Sequence, residues 1–69
     1  MNLAQHIRVE LKKSEEYINN NWRWAESCLN YGNMKAYYYH RELVSHFSGR
    51  RRFYLRELLR VQLKEFDRG

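Results

Sequence analysis

This chain has no proline, three glycines and one cysteine in 69 residues, and each shortage removes a class of structure. Without proline, nothing inside the chain forbids long helices. The strong breakers are Gly32, Gly49 and the terminal Gly69, too few to punctuate a strand-and-turn fold. A lone Cys28 closes no internal disulfide, and His6, His40 and His46 show no zinc-ligand spacing, so the usual staples of a small domain are missing. No apolar run approaches the roughly 20 residues of a membrane span. The start Met-Asn-Leu-Ala-Gln-His has neither the basic nor the apolar region of a signal peptide. The unpaired cysteine fits a reducing, cytoplasmic setting. Glycine-rich phosphate loops, nucleophile elbows and carboxylate pairs are absent, and Glu42–His46 is the one ligand-like pair at i,i+4 spacing. Two helices also lack the walls of a water-excluding cleft. The sequence therefore reads as non-enzymatic, with no cofactor and no metal.

What is present is apolar and aromatic. Hydrophobic residues make up 43%, charged residues 30% and aromatics 16%, a globular composition rather than a disordered one. Mean hydropathy is still −0.92, because much of the apolar share is tyrosine. A chain of this size buries only about 60% of the surface its unfolded form exposes. The expectation is one helical domain over residues 1–69, completed by self-association or by a partner. The net charge is +5, and it is unevenly placed. In residues 1–33 Arg8, Lys12, Lys13 and Arg23 cancel Glu10, Glu15, Glu16 and Glu26, so the whole excess lies in residues 34–69, mostly as arginine.

Periodicity predicts helices throughout. Asn2 followed by Gln5 fits a capping box, starting a first helix near Leu3. Asn30-Tyr31-Gly32-Asn33 should stop it, with Gly32 in the left-handed conformation and Asn33 capping the next helix. At about 100° per residue, Leu3, Ala4, Ile7, Leu11, Ile18, Trp22, Ala25 and Leu29 share one arc, interrupted by Ser14 and Asn21. A second stripe of Tyr17, Trp24 and Tyr31 runs beside it at heptad spacing. Lys12–Glu16 and Arg23–Glu26 have the spacing of local ion pairs.

Gly49 poses the architectural question. Ending a helix there would put Arg50, Arg51 and Arg52 at the start of the next, where the macrodipole disfavours cations. Ala36, His40, Leu43, Val44 and Phe47 share an arc, and the same phase carried through Gly49 collects Tyr54, Leu55, Leu58, Val61 and Gln62. The phase favours one helix over 34–66. The predicted fold is all-α: an antiparallel hairpin of helices 3–31 and 34–66, pairing with a second copy as a four-helix bundle. The alternative is a monomeric three-helix bundle broken at Ser48-Gly49.

Two features point to binding. Arg52, Arg56, Arg60 and Lys64 recur every four residues, and neither Arg52 nor Arg56 has an acid three or four positions away. With Arg50 and Arg51 they form a basic edge suited to an acidic protein patch or to phosphates. Tyr37, Tyr38 and Tyr39 are consecutive, so one neighbour cannot bury all three; Tyr37 falls on the core arc and the other two outside it. Trp22 and Trp24 divide the same way, with Trp24 outside. Tyrosine, tryptophan and arginine are the side chains that dominate interface energetics. The sequence thus predicts a small basic regulator or inhibitor that docks on a protein partner with an acidic patch, through Trp24, Tyr38, Tyr39, Arg52, Arg56 and Arg60. The alternative is DNA or RNA binding, with Arg50, Arg51, Arg52, Arg56, Arg60 and Lys64 on phosphates and aromatics stacking on bases. A partial helix-turn-helix match around Gly49 and an amphipathic, basic stretch over 52–66 leave small places for sequence-specific DNA and for a membrane surface.

Overall fold

The computed structural model describes residues 2–68 and contains two helices, α1 (Leu3–Asn30) and α2 (Met34–Arg68), packed against each other as a hairpin. The molecule measures 55 × 17 × 12 Å. Its long axis matches α2, which has 35 residues against 28 in α1 and so outruns it by about 10 Å at 1.5 Å per residue.

Local chemistry sets the helix ends. The Asn2 side chain accepts from the Gln5 backbone N–H at 2.8 Å, and the Gln5 side chain accepts from the Asn2 backbone N–H at 3.1 Å. This closes the predicted capping box and satisfies two N-terminal donors. At the other end Gly32 adopts φ +74°. Its N–H donates to the Leu29 carbonyl at 3.1 Å while the Asn33 N–H donates to the Cys28 carbonyl at 2.8 Å, the paired bonds of a Schellman stop. Asn33 Oδ1 then accepts from the Ala36 N–H at 3.2 Å and opens α2. No acidic residue lies in the first turn of either helix, so these side-chain caps carry the task that charge often performs.

α2 is continuous through Ser48 and Gly49, as the phase predicted, and the broken three-helix alternative is not the structure. Gly49 is exposed, and an added Cβ there would meet nothing within 4 Å. No close approach requires a glycine at this position.

Buried and half-buried side chains recur at alternating three- and four-residue steps. The repeat runs through Ala4, Ile7, Leu11, Ser14, Ile18, Asn21, Ala25 and Cys28 on α1, and Tyr37, His40, Val44, Phe47, Arg51, Tyr54, Leu58 and Val61 on α2, with Glu10, Ala36, Leu43, Ser48 and Glu57 half-buried beside it. A 3.5-residue repeat is the seam of a two-helix coiled coil. It corrects the arcs drawn at 3.6 residues per turn. Leu3, Trp22, Leu29, Leu55 and Gln62 were expected inside and are exposed; Arg51 and Cys28 take seam positions instead. The seam is thin. Among the described residues Ala4, Ile7, Leu11, Ala25 and Val44 are its buried apolar residues, and no large side chain is wholly enclosed.

The seam also has a polar layer. Asn21 Nδ2 donates to the Tyr17 carbonyl at 2.8 Å, leaving Oδ1 to accept from His40 Nδ1–H at 2.9 Å. A polar pair at a seam position fixes register, because any slip would leave both groups unsatisfied. Tyr17 stacks on Phe47 with ring centroids 4.8 Å apart and planes at 17°, which holds the two helices at the same register.

Candidate functional site

The predicted binding residues lie outside the seam. Tyr38, Tyr39, Arg52, Arg56, Arg60 and Lys64 are all exposed on α2, at positions that the 3.5-residue repeat turns away from α1. Trp24 is the exception in placement: it stands on α1 at the edge of the seam, 63% exposed, with its ring centroid 5.6 Å from that of His40.

The aromatics gather around the turn end of the hairpin in two groups. On one side His40 lies between Trp24 and Tyr39, the latter meeting it edge-on at 5.2 Å. On the other side Trp22, Leu29 and Tyr37 line an open groove of about 400 Å³ with Glu26 at its rim. Tyr38 meets Tyr37 edge-on at 5.4 Å, and the Arg41 guanidinium sits 5.8 Å from the centre of the Tyr37 ring. Arg41 also donates to the Tyr37 hydroxyl at 3.4 Å. Each group combines flat apolar area with a polar tip, the chemistry of interface anchors.

The basic edge separates into two populations. Arg50 and Arg51 turn inward across the hairpin: Arg50 reaches Glu10 at 3.8 Å, and Arg51 Nε donates to Glu15 Oε1 at 3.3 Å. Hydrogen bonding and charge from the Tyr54 side chain and, to a lesser degree, Glu10 raise the Arg50 pKa above the ordinary arginine value. The Arg50 and Arg51 side chains both stay nearly half exposed while making these contacts. Arg60 pairs with Glu57 at 3.6 Å. Among the described residues no acid lies within ion-pair distance of Arg52, Arg56 or Lys64. The expected local pairs Lys12–Glu16 and Arg23–Glu26 do not form, and Lys13 pairs with Glu10 at 3.6 Å instead.

Tyr39 and Arg52 are 13 helix positions apart, about 20 Å along α2. Tyr38 shares a side of α2 with Arg52 and Arg56, whereas Tyr39 lies about 140° round the helix from Arg52 and stands with His40 and Trp24 on the other side of the hairpin. α2 also exposes large apolar residues that sequence reasoning passed over: Phe53, Leu59, Leu63 and Phe66 are all more than half exposed. Their exposure was hidden because a helix of this length has apolar residues on several sides, and periodicity alone does not say which side a neighbour covers.

Among the described residues no three His, Cys, Asp or Glu side chains lie close enough together to hold a metal ion. No helix is long and apolar enough to cross a membrane. No family model, no curated protein and no solved structure matches this chain.

Proposed function

We propose that this protein is a non-enzymatic binding module that docks on a protein partner along the outer face of α2, as a small regulator or inhibitor would. One observation carries the reading: a hairpin whose seam encloses no large side chain leaves Trp24, Tyr38 and Tyr39 each more than half exposed. Such rings lose free energy in water and regain it when a partner covers them. Arg52, Arg56 and Arg60 continue the Tyr38 side of α2 as cations for an acidic patch. Nucleic acid is the weaker reading, since Arg50 and Arg51 are engaged with Glu10 and Glu15 and exposed leucines interrupt what would be a phosphate track.

The test is capture from nuclease-treated lysate of the native host, comparing the wild type with Tyr38→Ala/Tyr39→Ala and Arg52→Ala/Arg56→Ala. The expected result is a defined protein complex that both double variants weaken. If every captured protein disappears on nuclease treatment while nucleic acid binds at about 50 mM salt with a steep salt slope, the module binds nucleic acid instead.

A specific observation favours a second association. Tyr17, Trp24 and Tyr31 line one side of α1 at heptad spacing, and all three are at least half exposed. Pairing this side with its symmetry mate would make the homodimeric four-helix bundle that the sequence suggests. Trp24 belongs to this surface and to the aromatic group around His40, so Trp24→Ala is expected to weaken both associations.

A further inference from the structure

α2 carries a second apolar stripe that α1 does not reach. Leu55, Leu59, Leu63 and Phe66 fall within about 80° of the helix circumference, and they are 41, 57, 55 and 82% exposed. The same turns supply Tyr54, Leu58 and Val61 to the seam. This stretch of α2 is therefore apolar on two sides, the pattern of a helix that packs between two others. Steps of four, four and three residues keep the stripe on one face for three turns, about 17 Å, which is the spacing that grips an amphipathic helix.

Charge identifies what covers it. Arg52 and Arg56 border the stripe with no acid in ion-pair distance. Arg51 and Arg52 share a groove with Glu15 and Asn19 of α1. One heptad back on that side of α1 come Arg8 and Lys12, also without ion pairs. By helix position the N-terminal part of the stripe thus has cations toward both borders, and Asp67, next to Phe66, is an acid near its other end. A second copy would set cations against cations, whereas a helix with carboxylates beside its apolar face would neutralise them. We propose that Leu55, Leu59, Leu63 and Phe66, with Arg52 and Arg56, form the docking face for an acidic amphipathic helix of a partner protein. The inference rests on the protein-partner reading and names the chemistry of that partner.

The probe is a labelled peptide of about 21 residues with leucine at two positions of each heptad and glutamate beside them, alongside a counterpart carrying lysine in place of glutamate. Binding to the full chain is read by fluorescence anisotropy, and peptide folding by circular dichroism. The glutamate peptide binds and gains helix, and the lysine peptide does not. Leu59→Glu/Leu63→Glu and Arg52→Glu/Arg56→Glu each weaken binding by about tenfold or more. These side chains are open to solvent, and thermal melts of the variants verify that the hairpin persists. Equal binding of the lysine peptide, or no loss in the leucine variant, overturns the proposal. So does a dimer in sedimentation that Leu59→Glu/Leu63→Glu dissociates, which would assign the stripe to a second copy. Binding of the wild type to phosphatidylserine-containing vesicles, lost in the leucine variant and with no glutamate-peptide binding, would overturn it in favour of a lipid surface. If Tyr38→Ala/Tyr39→Ala weakens the glutamate peptide while the leucine variant does not, the partner reading stands and the stripe is excluded.

Discussion

Two glycines with opposite requirements show how much a single position can carry. Gly32 holds φ +74° at the end of α1, a conformation in which a Cβ crowds the following carbonyl. Gly32→Ala is expected to cost about 1–2 kcal/mol even though its Cβ would touch no neighbour. Gly49 lies inside α2 in open space with ordinary helical geometry. Gly49→Ala should stabilise the protein by about 0.5–1 kcal/mol through lower backbone entropy of the unfolded chain. Urea unfolding of the two variants checks both signs. Equal effects would mean that the turn does not depend on the left-handed conformation. Both glycines were visible in the sequence, and the contrast between them was legible there because capping residues surround Gly32 and an unbroken apolar phase surrounds Gly49.

At the scale of the helices, the hairpin is held by few specific contacts. Tyr17 on Phe47 is the closest aromatic pair between α1 and α2. A double-mutant cycle with leucine at both positions should give a coupling of about 0.5–1.5 kcal/mol beyond the area lost. The Arg51–Glu15 pair, with both side chains about half exposed, should couple by only about 0.2–1 kcal/mol and fade as salt rises. A salt-independent coupling would mean that the pair acts through packing. Neither partnership was legible in the sequence. Glu15 and Arg51 are 36 positions apart, and no local spacing rule connects them. Arg50 and Arg51 of the basic edge reach across to Glu10 and Glu15 while staying nearly half exposed, which no local spacing rule shows.

The whole molecule is long and narrow, with little interior. Among the described residues five apolar ones are buried, while large apolar side chains such as Trp24, Leu59, Leu63 and Phe66 are mostly in water. An association that covered these side chains would add stability that the interior does not supply. Its melting temperature is therefore expected to rise by several degrees as concentration is raised about a hundredfold, in step with a monomer–dimer equilibrium in sedimentation. A strictly monomeric species at micromolar concentration, with a melting temperature independent of concentration, would remove the four-helix bundle and leave the partner as what completes the fold.

The sequence by itself determined the helices: their class, their ends and the continuity of α2 through Gly49. Those depend on bonds between residues a few positions apart, such as Asn2 with Gln5 and Asn33 with Ala36. Only the tertiary structure decided which side of each helix faces its neighbour. A straight helix drifts by about 20° per heptad from a 3.5-residue seam, and over the length of α2 that drift separates the expected core from the observed one. Leu55 and Gln62 leave the interior, Arg51 takes a half-exposed seam position, and Leu59, Leu63 and Phe66, which periodicity left unassigned, stand open to solvent.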